Sequence, residues 1–210
     1  MLKILIADDH PIVRTGLKQI LDEAPVKLVC QEAKDGREVL RKTAGQDFDL
    51  VLLDIAMPGV NGLDCLKQIK KETPRLPVLI ISMYPEEQYA VRALKAGASG
   101  YLTKQSAPDE LLLAIKKVLS GGKYVSASLA EKMAWQLEKD GAEHPHETLS
   151  DREYEVLRLI ASGKTASRIA AQLCLSVKTV STYRARILLK MKLKNNAELT
   201  HYAIRNHLVD

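Results

Sequence analysis

The 210-residue chain lacks the features that mark membrane-spanning or secreted proteins. No stretch approaches the roughly 18 consecutive apolar residues of a membrane span. The opening MLKILIAD has none of the charged, apolar and small-residue zones of a secretory signal. The sequence also contains no internal repeat and no low-complexity tract. We therefore expect a cytoplasmic protein that does not associate with a membrane.

Cysteine is scarce, and the three cysteines are scattered. Cys30, Cys65 and Cys174 form no CxxC pair that could chelate zinc or cycle between thiol and disulfide. We expect all three to be small core residues. Hydrophobic residues make up 46% of the chain and charged residues 27%, so the chain can bury a real core and is not disordered throughout.

The excess of basic over acidic residues is concentrated in the last third of the chain. Basic and acidic residues number 17 and 16 over 1–120, 3 and 5 over 121–147, and 11 and 5 over 148–210. We predict a first domain over 1–120, a linker over 121–147 and a second domain over 148–210. The basic excess of the last segment favours a polyanionic partner, although a basic face exposed to solvent is the alternative.

The predicted linker contains one helical pattern and one loop. Leu129, Met133 and Leu137 recur at helical spacing, so the linker should contain a helix. The run Asp140–Glu147 has the composition of a flexible connection. His144 and His146 lie in this run without cysteine or acidic partners suited to a metal, so we interpret them as residues of a solvated loop.

Five short apolar runs alternate with helical-period segments over residues 1–120. This alternation is typical of a parallel sheet with helices on both faces, so we predict a flavodoxin-like, doubly wound α/β fold with strand order 2-1-3-4-5. Proline or glycine marks the start of each intervening helix. The strand candidates are Leu2–Ala7, Leu28–Cys30 with an extension to Ala33, Leu50–Leu53, Val78–Ile81 and Gly100–Leu102.

Polar residues follow the predicted strands at their carboxyl ends, where open α/β sheets bind ligands. Asp8 and Asp9 follow the first strand and Asp54 the third, and these two strands are neighbours in the predicted order. Three converging carboxylates persist only if a cation neutralises them or some of their pKa values rise. An all-oxygen set with one nearby lysine suits Mg²⁺ better than zinc or copper. A carboxylate in such a crevice can also accept a phosphoryl group, with Ser82 and Lys104 as its partners. The alternative is that these residues are helix caps, turn formers and a solvated lysine.

The segments LIADDHP, VLLDIAMPGVNGLD, VLIISMY and ALKAGASGYLTK resemble the receiver domain of two-component response regulators of the NarL/FixJ type. The resemblance covers roughly residues 1–120. It implies that Asp54 accepts a phosphoryl group, that Asp9 binds Mg²⁺ directly and that Asp8 does so through water. It further implies a metal ligand in the backbone carbonyl of Ala56, a switch pair in Ser82 and Tyr101, and a phosphate-binding lysine in Lys104. One departure is Gln105, which stands where many receivers have proline.

Residues 149–210 read as helical throughout. Ser150 and Glu153 form a capping box, and Gly163 ends the helix that follows it. A short helix, Ala166–Leu173, is separated by a tight turn from a longer helix, Val177–Met191, which Ser176 caps. Two helices joined in this way are typical of a helix-turn-helix, and the second domain is therefore predicted to be small and all-α.

The outer face of the longer helix combines cations with small and hydroxyl side chains. Such a face suits a helix in the DNA major groove, where long side chains hold phosphates and short ones touch base edges; the alternative is an amphipathic helix facing solvent. Residues 149–209 resemble the LuxR-type DNA-binding domain, with Arg168 where the family usually has glutamate. The resemblance implies a recognition helix over Val177–Met191 and a dimerising helix over Ala197–Asn206. The predicted DNA contacts are Lys178, Thr179, Ser181, Thr182, Arg184, Ala185, Arg186 and Lys190.

Together the two resemblances imply a non-enzymatic transcriptional response regulator. A sensor histidine kinase would phosphorylate Asp54, and phosphorylation would control homodimerisation and promoter binding, with RNA polymerase as a further partner. Two other classes stay open. A Mg²⁺-dependent phosphatase could use the acidic crevice, although ADDH lacks the aspartate spacing of the haloacid dehalogenase pattern. A LuxR-type regulator controlled by a small molecule would need none of the strand-end residues.

Overall fold

The structure is a computed structural model that describes residues 1–24, 27–138 and 144–209. The chain divides into two compact units, Met1–Ala134 and Trp135–Asp210. Among the described residues, no helix is both long enough and apolar enough to cross a membrane.

The first unit contains one five-stranded parallel sheet. Its strands are β1 (Leu2–Ala7), β2 (Leu28–Ala33), β3 (Leu50–Leu53), β4 (Val78–Ser82) and β5 (Gly100–Thr103). Their order in the sheet is β2-β1-β3-β4-β5. The predicted fold class and strand order are confirmed, and β4 and β5 each extend one residue beyond the predicted end.

Helices follow each strand and connect it to the next. They are α1 (Pro11–Asp22), α2 (Gly36–Gly45), α3 (Gly62–Glu72), α4 (Glu86–Lys95) and α5 (Pro108–Leu119), followed by α6 (Ala127–Glu138). Gly97 and Gly121 follow the C-cap residues of α4 and α5 with φ of +100° and +87°, as expected of residues that end helices. The linker helix predicted from the apolar spacing is present as α6.

The central strands are buried on both faces. Ile4, Ile6, Leu50, Leu52 and Leu79 are at most 1% exposed and form the core beneath α1 and α5. Continuous apolar runs are typical of parallel strands that helices cover on both sides. Polar side chains are therefore accommodated only where the strands end, which fixes the position of the candidate site.

After α6, the described residues of the second unit form four α-helices: α7 (Asp151–Ala161), α8 (Ala166–Leu173), α9 (Val177–Lys190) and α10 (Asn196–Arg205). The predicted capping box of Ser150 and Glu153 is present at the start of α7. Cys174 adopts a left-handed conformation with φ of +53° and ends α8 before Ser176 caps α9. Helix α9 ends one residue before its predicted end because Met191 caps it. Helix α10 begins and ends one residue earlier than predicted, at Asn196 and Arg205.

Two expectations about small features need correction. Only Cys65 is buried; Cys30 is half-buried, and Cys174 is exposed because it occupies the turn between two helices. His146 is not a freely solvated loop residue, since it lies in a 3₁₀ turn over Pro145–Thr148 and its Nδ1 is 2.8 Å from the hydroxyl of Tyr202. Residues 139–143 of the predicted linker lie outside the described part of the chain.

Candidate functional site

The structure brings the predicted acidic residues together at the carboxyl ends of β1 and β3. Ala7 and Leu53 are paired in register, and the backbone N–H of Asp54 donates to the carbonyl of Ala7 over 2.9 Å. Ligand atoms of Asp8, Asp9 and Asp54, together with His10, all lie within 4.8 Å of one another. The prediction had not included His10, whose Nδ1 is 2.7 Å from Oδ1 of Asp9.

Lys104 neutralises the centre of this cluster. Its Nζ lies 2.6 Å from Oδ2 of Asp8 and 2.7 Å from Oδ2 of Asp54, and no side chain of the three is more than 6% exposed. The backbone N–H of Lys104 donates to the carbonyl of Ser82, which places the lysine directly after β5. One ammonium thus joins carboxylates that are 46 residues apart in the chain.

Burial sets the electrostatics of the pair formed by Asp54 and Lys104. Burial raises the pKa of Asp54 above its ordinary value, and the charge of Lys104 opposes this shift. Burial by itself lowers the pKa of Lys104, but Asp54 and Asp8 outweigh it, so the pKa of Lys104 is raised. The lysine therefore stays charged at neutral pH.

The loop after β3 is closed by backbone hydrogen bonds and packs against the backbone of Asp54. The N–H groups of Met57 and Gly62 both donate to the carbonyl of Ile55 over 3.0 Å. Gly62 packs so closely that a Cβ there would lie 2.0 Å from the carbonyl oxygen of Asp54. Ala56, whose carbonyl is a predicted metal ligand, lies within this loop and is half-buried.

The two predicted switch residues contact a common neighbour that the sequence did not single out. Ser82 and Tyr101 are both fully buried. The Ser82 hydroxyl accepts from the N–H of Tyr84 over 3.2 Å, and the Tyr101 hydroxyl donates to the carbonyl of Tyr84 over 2.8 Å. Both contacts use the backbone of Tyr84, so residue type carries no signal for them.

The second unit presents α9 with one buried and one exposed face. Val180, Ile187 and Met191 are at most 5% exposed and face the interior, as predicted. Thr179 is half-buried, and its hydroxyl is 2.8 Å from that of Ser176. The remaining predicted DNA contacts are exposed: Lys178, Ser181, Thr182, Arg184, Ala185, Arg186 and Lys190.

Three acidic side chains of this unit are buried. Asp151, Glu153 and Glu155 are at most 6% exposed. Glu198 accepts from the backbone N–H of Lys194 over 2.8 Å. Because the acids are buried or engaged and most cations are not, the surface of the described part of this unit is predominantly positive, which suits a polyanion.

Two of the predicted DNA-contacting cations already have protein partners. The Nζ of Lys190 donates to Oε2 of Glu153 over 2.6 Å, and the Nε of Arg184 donates to Oδ1 of Asn196 over 2.6 Å. These two side chains therefore also hold α9 to α7 and to the start of α10. Arg168, the departure from the LuxR pattern, is exposed on the first turn of α8.

Comparison with known proteins assigns a family to each unit. The family described as "Response regulator receiver domain" matches residues 4–116, and that described as "Bacterial regulatory proteins, luxR family" matches residues 147–203. The chain belongs to the response regulators with a receiver domain and a LuxR-type DNA-binding domain. Proteins of this family are transcription factors and not enzymes, and phosphorylation-controlled DNA binding is typical of them.

Relatives align over almost the entire chain. The response regulator UvrY of Escherichia coli strain K12 is 36% identical over 209 residues, covering 99% of this chain and 96% of the relative. The response regulator GacA of Pseudomonas protegens is 34% identical over 210 residues, covering 100% and 99%. RcsB of Salmonella enterica serovar Typhimurium, solved on the promoter rprA with a phosphomimetic, is 29% identical. The alignment covers 96% of this chain and 98% of the RcsB chain, with a TM-score of 0.64.

These findings confirm the predicted family, fold class and general function. They also decide between the classes that the sequence left open. The phosphatase alternative is excluded because the family is not enzymatic. A LuxR-type regulator that lacks a receiver and is controlled by a small molecule is excluded, because the receiver match spans residues 4–116. A receiver domain implies a kinase that donates the phosphoryl group, and DNA-bound structures of relatives support promoter binding.

Proposed function

We propose that Asp54 is the phosphoacceptor and that a sensor histidine kinase is the donor. The observation that carries this proposal is the buried contact of Lys104 with both Asp8 and Asp54. A lysine held within a carboxylate cluster is suited to bind the phosphoryl oxygens that arrive there. A purely structural ion pair would not need a second buried carboxylate on the same ammonium.

The chemistry is a transfer between two side chains. An Oδ atom of Asp54 attacks phosphorus, the new O–P bond forms as the N–P bond of the donor phosphohistidine breaks, and the electron pair returns to the imidazole nitrogen. Asp54 Oδ1 is buried and has no hydrogen-bond partner among the described residues, so it is the oxygen left available. Lys104 then stabilises the negative charge of the aspartyl phosphate.

The donor set fits Mg²⁺. Asp9 would bind the ion directly, Asp8 through water, and Asp54 and the carbonyl of Ala56 would complete the protein ligands. The ligand atoms of the aspartates lie within 4.8 Å of one another, and hard oxygen donors are those that Mg²⁺ prefers. Bound there, Mg²⁺ would neutralise the charge that develops on the phosphoryl oxygens.

Phosphorylation is proposed to act through Ser82 and Tyr101. The Ser82 hydroxyl would bind a phosphoryl oxygen, and Tyr101 would follow into the space behind it, shifting a two-state equilibrium. The shifted receiver would favour a homodimer whose two α9 helices read adjacent half-sites of promoter DNA in the cytoplasm, where RNA polymerase is recruited. The base-reading and phosphate-holding residues would be those on the exposed face of α9.

Phosphorylation from acetyl phosphate with Mg²⁺ tests the acceptor directly. We expect one phosphoryl group on the wild type by intact-mass spectrometry and none on Asp54→Asn, which keeps the shape but removes the nucleophilic oxygen. Asp47→Asn, a change at an exposed aspartate outside the cluster, is the matched control and should be phosphorylated normally. Phosphorylation of Asp54→Asn at the native rate would overturn the assignment.

A second measurement tests the output. DNA affinity and self-association of the full-length protein are compared before and after phosphorylation at one salt concentration, because DNA affinity depends steeply on salt. We expect tighter DNA binding and more dimer after phosphorylation. A protein that accepts the phosphoryl group but changes in neither property would contradict the proposed control of dimerisation and DNA binding.

A further inference from the structure

The start of the linker is attached to the sheet of the first unit. The N–H of Tyr124 donates to the carbonyl of Ser99 over 2.8 Å, and Tyr124 forms a parallel bridge with Gly100 at the beginning of β5. A Cβ at Gly100 would lie 2.8 Å from the Tyr124 carbonyl oxygen, so the two backbones are closely packed. The hydroxyl of Tyr124 donates to Glu110 of α5 over 2.8 Å. Residues before α6 are thus positioned by the receiver unit itself.

Two serines then connect the first turn of α6 to the first residue of α4. The Ser126 hydroxyl accepts from the N–H of Leu129 over 3.1 Å, which caps α6, and donates to Oε2 of Glu86 over 2.5 Å. Ser128 donates to the same oxygen over 3.4 Å. Leu129 is 1% exposed, so this turn is also held by apolar burial. We call the contact between Glu86 and Ser126 the linker latch.

Glu86 also lies directly after the short loop that follows the predicted switch residue Ser82. Ser82 ends β4, and its hydroxyl accepts from the N–H of Tyr84, whose carbonyl accepts from Tyr101. Pro85 follows and precedes α4 without making a side-chain cap. Movement of the backbone over residues 82–85 is therefore transmitted to Glu86, since only this short loop separates the two.

We propose that the linker latch is closed in the unphosphorylated protein and opens when Asp54 is phosphorylated. This inference rests on the proposed function. When Ser82 turns to a phosphoryl oxygen, its bond with the Tyr84 N–H is lost and the loop before α4 rearranges. A hydroxyl-to-carboxylate bond weakens steeply with small changes in distance and angle, so a small displacement of Glu86 releases Ser126. The first turn of α6 then loosens from the receiver, which frees the linker for the active arrangement.

Hydrogen exchange of the full-length protein tests the latch before any phosphorylation. We expect backbone amides of residues 127–131 to exchange about fivefold or more faster in Glu86→Ala than in wild type, because a charge-assisted bond is lost. Ser126→Asp should act similarly, since aspartate keeps a good helix cap but faces the Glu86 carboxylate. Glu86→Gln keeps an accepting oxygen and should restore slow exchange. Asp109→Ala, at an exposed acid in the first turn of α5, is the matched control and should leave exchange unchanged.

Phosphorylation with acetyl phosphate and Mg²⁺ tests the opening. We expect the same amides to exchange about fivefold or more faster in phosphorylated wild type, and phosphorylation to add little in Glu86→Ala, whose latch is already open. Unchanged exchange in unphosphorylated Glu86→Ala would overturn the latch. Phosphoryl incorporation by intact mass without faster exchange in wild type would overturn its opening and leave the proposed function standing. Failure of incorporation would overturn both the proposed function and the phosphorylation-dependent opening.

Discussion

The Nζ of Lys190 lies 2.6 Å from Oε2 of Glu153, which joins the last turn of α9 to the buried capping box of α7. Glu153 is 3% exposed and also accepts from the backbone N–H of Ser150. One carboxylate therefore caps α7 and fixes the end of α9. The helix proposed to read DNA is held in place by a residue that sequence analysis assigned only to helix capping.

Replacement of Lys190 by methionine should destabilise the second unit. The change keeps the apolar stem but leaves a nearly buried carboxylate without its cation. Because Lys190 itself is partly exposed, we expect a loss of about 1 kcal/mol. Thermal unfolding followed by circular dichroism measures this loss. Lys194→Met, at an exposed lysine whose side chain has no partner among the described residues, should change stability little; an equal loss in both variants would contradict the assigned role.

The same carboxylate should make stability depend on pH. Burial by itself raises the pKa of Glu153, but the hydrogen bonds from Lys190 and Ser150 outweigh it and hold the pKa below its ordinary value. Ionised Glu153 therefore stabilises the folded state above the unfolded pKa of about 4.3, and this contribution is lost as the pH falls through the lower folded pKa.

Denaturation of wild type and Glu153→Gln across this pH range tests that expectation. Glutamine preserves the capping box but does not titrate. Wild type should be the more stable protein at neutral pH, and its advantage should shrink as the solution is acidified. A constant difference at all pH values would show that the charge of Glu153 does not contribute.

Lys104→Met should destabilise the first unit in the absence of divalent cations. Removal of the ammonium leaves Asp8 and Asp54 buried without a counter-charge, which for buried pairs costs about 3–5 kcal/mol. Mg²⁺ should stabilise the variant more than it stabilises wild type, because the ion takes over the neutralisation. Urea denaturation with and without Mg²⁺ measures both effects. Lys116→Met, at an exposed lysine of α5, should show neither, and a variant indifferent to Mg²⁺ would argue against the metal site.

Alanine should be harmful at one glycine, Gly62, and stabilising at another, Gly16. Gly62→Ala would bring a Cβ to 2.0 Å from the Asp54 carbonyl oxygen, so the acceptor loop must shift and phosphorylation should fall at least tenfold. Gly16→Ala, within α1, meets no atom within 4 Å and should stabilise the protein by about 0.5–1 kcal/mol. Phosphorylation rates and unfolding curves of both variants check this, and normal phosphorylation of Gly62→Ala would show that the loop is more tolerant than its packing indicates.

Substitutions on α9 should separate phosphate contacts from base contacts. Lys178→Ala should weaken binding to all DNA sequences, because one phosphate contact is lost. The slope of log affinity against log salt concentration should become shallower by about one unit. Thr182→Ala should mainly change base preference, since a short side chain on the same face is suited to base edges. Binding titrations against salt on two DNA sequences measure both. Arg75→Ala, an exposed arginine of the first unit, should affect neither; an unchanged slope for Lys178→Ala would place the DNA elsewhere.

Much of the fold and of the candidate site was predictable because the signals are local. Apolar runs alternating with helical-period segments predicted the parallel sheet, and the polar residues directly after those runs located Asp8, Asp54 and Lys104 at its edge. Once the strand order is known, the carboxyl ends of neighbouring parallel strands must lie side by side at one edge of the sheet. The capping box and the tight turn before Ser176 similarly predicted the bounds of α7, α8 and α9 within a residue or two. Helix caps and hydrophobic periodicity depend on residues that are close together in the sequence.

By itself the sequence determined the class of protein, the two folds and the residue types at the acidic crevice. Only the tertiary structure decided which polar groups pair over long distances in the chain. Lys190 reaches Glu153 across 37 residues and Ser126 reaches Glu86 across 40, and neither pair has a local pattern that links its members. Such contacts depend on the distance and orientation of packed elements. For this reason the structure alone showed that Lys190 and Arg184 help to hold α9 and that the linker is tied to α4.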